Sequence, residues 1–248
     1  MTEVPRGQAL RFWAGFAACL PQAAWVRGTA PRFPGAEGPR HGTAGEGPTR
    51  RLVALGDSIV DGVGCGTLDR AMTGRTAAAL AEYLGCRIAW SAHGRSGATT
   101  ADIRDRWLPD ADLEPADYVV VSTGVNDLIS LRSLARFRAD LGGLLDGIRK
   151  RAPDAVVAML GLPPIETFPA LPRPLRDVLA MRAGQLDHVL RAGTEDRSGV
   201  AHVAVRFPPA DGRPDPRFAA DGFHPSESAC IEIGRAVAER LIELRGRL

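Results

Sequence analysis

The stretch Leu52-Val53-Ala54-Leu55-Gly56-Asp57-Ser58 decides how the rest of the chain is interpreted. Its first four residues form a continuous apolar run, which is typical of a β-strand buried on both faces. A glycine and two polar residues follow at once, so the strand is predicted to end in a tight turn that carries Asp57 and Ser58. Taken alone, this turn is better explained as an ordinary helix cap, because Ser and Asp favour that position.

Short apolar runs alternate with segments of helical periodicity through the rest of the chain. After the strand at 52–55, further strands are predicted at 86–90, 118–121, 155–160 and 200–205. Strands that alternate with helices predict an α/β fold, in which a five-stranded, mainly parallel sheet lies between two layers of helices (α/β/α). Ligands of such folds bind beyond the carboxyl ends of the strands, so functional side chains are expected there.

Composition and charge narrow the classes of function. The 248 residues are 45% hydrophobic and 24% charged, which suits one globular domain of ordinary size plus some extra sequence. A formal net charge of +2 gives no electrostatic reason to expect nucleic acid as a partner. The four cysteines are scattered and lack the spacing of a metal site, so free thiols and no bound metal are expected.

The first fifty residues differ from the remainder, because they contain six Arg and three Glu but no Asp or Lys. Residues 12–26 are mostly apolar, whereas residues 28–50 are rich in Gly, Pro and Arg and are predicted to form an extended linker. We therefore predict two parts, an N-terminal apolar segment with its linker (residues 1–50) and an α/β domain (residues 51–248).

The apolar segment 12–26 is too short and too interrupted to span a bilayer comfortably. Peripheral contact with a membrane surface and packing onto the α/β domain are equally compatible with its composition. The segment also fits a cleavable secretory signal poorly, so the predicted location is the cytoplasm, with membrane association as the alternative.

Polar blocks follow three of the predicted strands, and a fourth precedes the last predicted helix. The blocks are Gly56-Asp57-Ser58, Ser96-Gly97-Ala98-Thr99, Gly124-Val125-Asn126-Asp127 and Asp221-Gly222-Phe223-His224-Pro225. Singly, each is also explained as a turn or a cap. An aspartate three residues before a histidine, however, can fix one imidazole nitrogen and leave the other to take a proton from a serine. The order of the four blocks along the chain indicates that they form one shared site.

Together, these four blocks resemble the SGNH hydrolase superfamily, also known as GDSL esterases and lipases. The resemblance covers the chain after its first fifty residues, and it implies a flavodoxin-like α/β/α domain. It also implies that Ser58 is the nucleophile, that His224 is the base and that Asp221 orients His224. An oxyanion hole would be formed by the Ser58 N–H, the Gly97 N–H and the Asn126 side-chain amide, and no metal or organic cofactor would be needed.

The second block departs from the family pattern in one respect. The family often has an asparagine several residues ahead of the glycine, whereas this chain has Ala92-His93-Gly94, which makes Gly94 an alternative to Gly97 as the N–H donor. Asp57 and Asp127 are expected to support the neighbouring site residues through hydrogen bonds.

The predicted activity is hydrolysis of a small-molecule or lipid carboxylic ester, with a short or medium acyl chain or an acetyl group, through an acyl-enzyme. An acyltransferase with the same triad is an alternative. A flavodoxin-like module that binds phosphate is less compatible, because the chain lacks a Gly-rich phosphate loop with a lysine. Residues 163–175 are interpreted either as an apolar wall for the acyl chain or as a packed surface loop.

Overall fold

The computed structural model describes residues 6–31, 33–206 and 215–247, without the side chains of residues 6 and 8–10. The strands in this part of the chain are β1 (His41–Ala44), β2 (Thr49–Gly56), β3 (Arg87–Gly94), β4 (Tyr118–Ser122), β5 (Val156–Leu160) and β6 (Val200–Val203). They form one sheet in the order β1-β3-β2-β4-β5-β6. All neighbouring pairs are parallel except β1 with β3.

Helices cover both faces of the sheet, as the alternating pattern predicts. The α-helices are α1 (Arg6–Ala18), α2 (Leu20–Thr29), α3 (Met72–Leu84), α4 (Thr100–Asp102), α5 (Leu108–Asp110), α6 (Val125–Ile129), α7 (Leu134–Arg151), α8 (Leu175–Glu195) and α9 (Glu227–Arg245). A π-helical turn at Ile103–Trp107 joins α4 to α5, and a 3₁₀ turn lies at Ile165–Thr167. Helices α3 and α9 pack together on one face, whereas α7 and α8 pack together on the other.

The apolar composition of the central strands explains why the sheet is covered twice. Every residue of β4 and β5 is buried, and so are the last five residues of β2. Strands buried on both faces favour continuous runs of branched aliphatic residues over alternation, which is the pattern that these strands have. The predicted α/β/α architecture is therefore confirmed.

The prediction of five strands is wrong by one, because β1 adds a sixth strand at the edge of the sheet. Its sequence, His41-Gly42-Thr43-Ala44, shows no apolar alternation, and its residues are exposed or half-buried. Backbone hydrogen bonds to β3 hold this strand instead of a buried apolar face. Gly42 allows the close approach, because a Cβ at this position would lie 2.6 Å from the indole ring of Trp90.

Because β1 falls within residues 28–50, the prediction that this whole segment is an extended linker is also wrong. The predicted boundary between residues 50 and 51 falls inside β2, which begins at Thr49. The apolar segment 12–26 forms most of α1 and α2, and α1 packs against α8. None of the helices in the described part of the chain combines the length and the hydropathy that a membrane span requires.

Candidate active site

Three strands end side by side at one edge of the sheet. Gly56, the last residue of β2, is paired in register with Gly94 of β3 on one side and with Ser122 of β4 on the other. The chain passes from β2 to β3 in one direction and then crosses to β4 in the other, which is the topological switch that opens a crevice in parallel sheets. The first three polar blocks leave the sheet at this point.

Asp57 holds the turn that carries Ser58. Its Oδ1 accepts hydrogen bonds from the Ile59 N–H at 3.1 Å and from the Ser122 hydroxyl at 2.8 Å. Burial raises the pKa of the Asp57 carboxyl, although these hydrogen bonds and the charge of His224 act in the opposite direction. Its side chain therefore ties the end of β2 to the end of β4, in keeping with the supporting role expected for Asp57.

The turn after Ser58 lies against the loop that carries His224. The Val63 N–H donates to the Ser58 carbonyl at 3.0 Å, which brings Gly64 round to this loop. Gly64 has a φ of +95°, and a Cβ at this position would lie 2.7 Å from the Pro225 carbonyl oxygen and 3.3 Å from the His224 Cβ. A side chain at position 64 would thus force the two loops apart, a constraint that the sequence analysis missed.

Asp221 and His224 form a closely hydrogen-bonded pair. The Nδ1 of His224 lies 2.5 Å from Asp221 Oδ2, and Asp221 Oδ1 accepts from the backbone N–H groups of Phe223 at 2.9 Å and His224 at 3.0 Å. The Asp221 carboxylate is almost completely buried, whereas about a quarter of the His224 side chain is exposed. The expected spacing of three residues therefore places the carboxylate on one side of the ring and leaves Nε2 on the other.

The environment of Asp221 favours its charged form. Burial raises the pKa of its carboxyl, but hydrogen bonds from the His224 ring and from two backbone N–H groups outweigh burial, so the net pKa is lowered. A carboxylate in this state holds the Nδ1 proton of the neighbouring imidazole.

Among the described residues, no hydrogen bond joins the Ser58 hydroxyl to the His224 ring. In the absence of substrate, catalytic hydrogen bonds are often long or poorly aligned and tighten only in the complex. The structure thus brings the turn of Ser58 and the Asp221–His224 pair to the same place, without closing the last contact between them.

Gly97 and Asn126 lie in two loops that contact each other. The Asn126 side-chain amide donates to the Ala98 carbonyl at 2.9 Å, which ties the third block to the turn of the second. Gly97 has a φ of +87°, is exposed, and has open space on the side where a Cβ would stand. Within the described part of the chain, neither the Ser58 N–H nor the Gly97 N–H has a hydrogen-bond acceptor.

Gly94, the alternative donor, is buried within β3. A Cβ there would lie 2.7 Å from Val60, and its carbonyl accepts a hydrogen bond from the Arg40 guanidinium at 2.7 Å. Gly94 is therefore packed into the sheet, whereas Gly97 faces open space. The geometry favours Gly97 as the donor.

Asp127 anchors the second block from beneath. Its Oδ2 accepts from both the N–H and the hydroxyl of Thr100, at 2.9 and 2.8 Å. Burial raises the pKa of the Asp127 carboxyl, and the two bonds from Thr100 oppose that shift. The Thr100 hydroxyl also lies 2.7 Å from that of Thr123. Asp127 thus holds the start of α4 in place, a link that joins residues too distant in sequence to be recognised as partners.

The apolar side chains of segment 163–175 pack inward. Ile165, Phe168 and Leu171 are all buried, and the Phe168 ring packs edge-on against those of Phe218 and Phe223. These apolar residues support the loop that carries Asp221 and His224 and do not present an open wall. Of the two interpretations of this segment, the structure favours the packed loop.

The four cysteines are free thiols in the structure. Cys65, in the loop after Ser58, has its sulfur 3.6 Å from that of Cys230 in α9. Their contact lowers the pKa of the Cys65 thiol, whereas the contact and burial raise the pKa of the Cys230 thiol. Among the described residues, no group of three or more His, Cys, Asp or Glu side chains is arranged to hold a metal ion.

Comparison with known proteins gives a family match over most of the chain. The model of the GDSL-like Lipase/Acylhydrolase family matches residues 54–229, which contain all four polar blocks. One curated relative is the GDSL-like esterase Rv1075c of Mycobacterium tuberculosis, which is 29% identical over 204 residues. That alignment covers 75% of this chain and 63% of the relative, so the chain spans less than two thirds of the relative's length.

Solved structures with the same fold include an extracellular lipase from Streptomyces rimosus, with a TM-score of 0.58 and 22% identity. The match covers 77% of this chain and 99% of that one. Est24, a carbohydrate acetylesterase from Sinorhizobium meliloti, matches with a TM-score of 0.56 and 21% identity, over 79% of this chain and 99% of its own. At these identities, the likeness shows the fold.

Proposed function

Because the chain belongs to the GDSL-like lipase/acylhydrolase family, we propose that it is a serine hydrolase of carboxylic esters with Ser58 as its nucleophile. The observation that carries this proposal is the Asp221–His224 pair, joined at 2.5 Å on a loop that packs against the Ser58 turn. A flavodoxin-like binding module would have no use for a buried carboxylate that orients a partly exposed imidazole.

In the first step, the Ser58 oxygen attacks the ester carbonyl carbon while His224 Nε2 takes the hydroxyl proton. Asp221 keeps the other ring proton on Nδ1 and stabilises the imidazolium that forms. The tetrahedral intermediate then collapses, and His224 gives its proton to the departing alcohol oxygen. The product of this half-reaction is an ester between the acyl group and Ser58.

The negative charge on the carbonyl oxygen requires hydrogen-bond donors that are already in position. We assign this role to the Ser58 N–H, the Gly97 N–H and the second hydrogen of the Asn126 amide, whose first hydrogen is bound to Ala98. The hydrogen bond to Ala98 fixes the amide orientation, so the remaining hydrogen needs little reorganisation. Water then attacks the acyl-enzyme with His224 as base, which releases the acid and restores Ser58.

The substrate class proposed is a small-molecule or lipid ester with an acetyl, short or medium acyl group. The names of the relatives support this range, because they include a lipase and a carbohydrate acetylesterase. The burial of Ile165, Phe168 and Leu171 favours its shorter end, because these side chains do not line a groove for a long chain.

The test compares Ser58→Ala with Ser198→Ala, a matched change at an exposed serine that precedes β6. With a short p-nitrophenyl ester, Ser58→Ala is expected to lose turnover while Ser198→Ala keeps the wild-type rate. A fluorophosphonate probe should label the wild type and Ser198→Ala but not Ser58→Ala. If folded Ser58→Ala hydrolysed the ester at the wild-type rate, the proposal would be wrong. Product analysis with a competing alcohol separates hydrolysis from acyl transfer.

A further inference from the structure

Helices α1 and α2 present an apolar surface that nothing in the described protein covers. Trp13 of α1 is 47% exposed, and Leu20 and Trp25 of α2 are 54% and 61% exposed. No residue of α2 is buried. We call the exposed surface of α1 and α2, which includes these three side chains, the N-terminal face. Three large apolar side chains exposed on two adjoining short helices exceed the scattered single residues of an ordinary protein surface, and such an excess marks a site of interaction.

The two helices are fixed to the domain by other residues, so these aromatic side chains are not needed for attachment. Phe12 is fully buried, and its ring lies 5.2 Å from the guanidinium carbon of Arg182 in α8. Gln22 donates to the Arg173 carbonyl at 2.9 Å and accepts from the Leu175 N–H at 3.1 Å. These contacts attach α1 and α2 to the domain and leave Trp13, Leu20 and Trp25 largely exposed.

The charged residues of α1 and α2 are all basic. Arg11 and Arg27 are both exposed, and neither forms an ion pair with the described residues. Between Glu3 and Glu37, the sequence contains four arginines and no acidic residue. The face thus combines indole rings, an aliphatic side chain and uncompensated positive charge.

The N-terminal face also adjoins the rim of the candidate active site. Gln22 donates a hydrogen bond to the Arg173 carbonyl, at the end of the loop 163–175. In the same loop, the Ala170 N–H donates to the carbonyl of Gly222, the residue after Asp221. On the other side, Arg182 beneath Phe12 donates to the carbonyl of Arg132, which follows α6, the helix that carries Asn126. The loop beside Gly222 therefore contacts α2 directly, whereas the end of α6 is linked to α1 through Arg182 of α8.

We propose that the N-terminal face docks onto the surface of an anionic phospholipid bilayer. Indole rings favour the boundary between headgroups and acyl chains, where the ring is buried and its N–H stays in a polar layer. Arg11 and Arg27 then lie at the level of the lipid phosphates, which attract them electrostatically. Docking of this kind is peripheral, and it does not depend on the ester hydrolysis proposed above.

Vesicle flotation of the full chain tests the proposal, with vesicles of phosphatidylcholine alone and of phosphatidylcholine mixed with phosphatidylglycerol. The wild type is expected to float with the mixed vesicles and not with the neutral ones. The double change Leu20→Ser and Trp25→Ser should weaken partition at least about tenfold, because it removes apolar contact. Ile231→Ser, at an exposed apolar residue of α9, is the matched control and should partition as the wild type does.

A second pair of variants tests the charge. A basic residue at an anionic leaflet contributes roughly a fivefold factor to partition, so reversing both charges with Arg11→Glu and Arg27→Glu should weaken it by at least about 30-fold. Arg138→Glu, at an exposed residue of α7, is the control. Circular dichroism checks that each variant is folded.

Three results would overturn the proposal. The wild type could fail to partition, or the variants of the N-terminal face could partition no worse than their controls. Alternatively, size-exclusion chromatography could show a dimer that the Leu20 and Trp25 changes convert to a monomer, which would assign the face to a second copy of the chain. Hydrolysis of a soluble ester, measured in parallel, should be unchanged in all these variants and reports separately on the proposed function.

Discussion

Changing Asp221 to Asn tests the proposed triad most sharply, because it alters the chemistry of the site with little change of shape. In the structure, Asp221 Oδ1 accepts two backbone N–H bonds and Oδ2 accepts from His224 Nδ1. An asparagine keeps its oxygen on the two backbone donors and turns its NH₂ group toward Nδ1. Two donors cannot face each other, so the ring proton is expected to move to Nε2.

The expected effect on turnover is large. A ring protonated on Nε2 cannot take the proton of Ser58, and in a Ser-His-Asp triad this change costs about 10,000-fold in kcat. That factor corresponds to about 5.5 kcal/mol of transition-state stabilisation. It exceeds the roughly 1.5–3 kcal/mol contributed by a single hydrogen bond to a charged group. The loss should therefore appear in kcat and be disproportionate to any loss of stability.

The chain offers a matched control in a second Asp–His pair. Asp187 Oδ1 lies 2.9 Å from His202 Nε2 and also accepts the Leu162 N–H at 2.9 Å. His202 is in β6, three strands from β2 and so roughly 14 Å across the sheet. Asp187→Asn should leave kcat within about threefold of the wild type when both are measured on a short p-nitrophenyl ester. If folded Asp221→Asn retained a kcat within tenfold of the wild type, Asp221 would not set the tautomer of His224, and its proposed role in the triad would be wrong.

Three further results are expected. Asn126→Ala should lower kcat on the order of 100- to 1000-fold while KM changes little, because the amide acts on charge that develops in the transition state. If the variant lost as much affinity for a ground-state analogue as it lost in kcat, this assignment would be contradicted. Because the pKa of Asp221 is lowered on folding, its charge stabilises the protein above about pH 4, and this advantage is lost as the pH falls through the folded-state pKa. The Tm difference between wild type and Asp221→Asn should therefore shrink in acid, as calorimetry can measure. Iodoacetamide should label Cys65 before the three buried cysteines, as peptide mass mapping would show, because its thiol is half-exposed and its pKa is lowered.

The central strands and the positions of the first three polar blocks after their strands could be predicted from the sequence, because both follow from local patterns. Continuous aliphatic runs specify strands buried on two faces, and parallel pairing brings the carboxyl ends of these strands, with Gly56, Gly94 and Ser122, to the same end of the sheet. The segment His41–Ala44 could not be recognised in this way. An edge strand held by backbone hydrogen bonds needs no apolar pattern, so its composition resembles that of a linker.

The contacts that fix the site could not be predicted, because they join residues far apart in sequence. The bonds from Asn126 to Ala98 and from Thr100 to Asp127 depend on how two loops settle against each other. The direction of the side chains in segment 163–175 has the same origin. Phe168 points inward because its ring packs against those of Phe218 and Phe223. These two residues lie outside the segment, so no pattern within the segment predicts the contact.

The antiparallel pairing of β1 with β3 has a practical consequence for handling the protein. A chain shortened to begin at Arg50 would lose β1 and leave the outer edge of β3 as a row of unpaired N–H and C=O groups. Exposed edges of this kind recruit strands from other molecules. The shortened protein is therefore expected to aggregate during purification, whereas a chain that retains α1, α2 and β1 keeps both this edge and the α8 surface covered and should remain monodisperse.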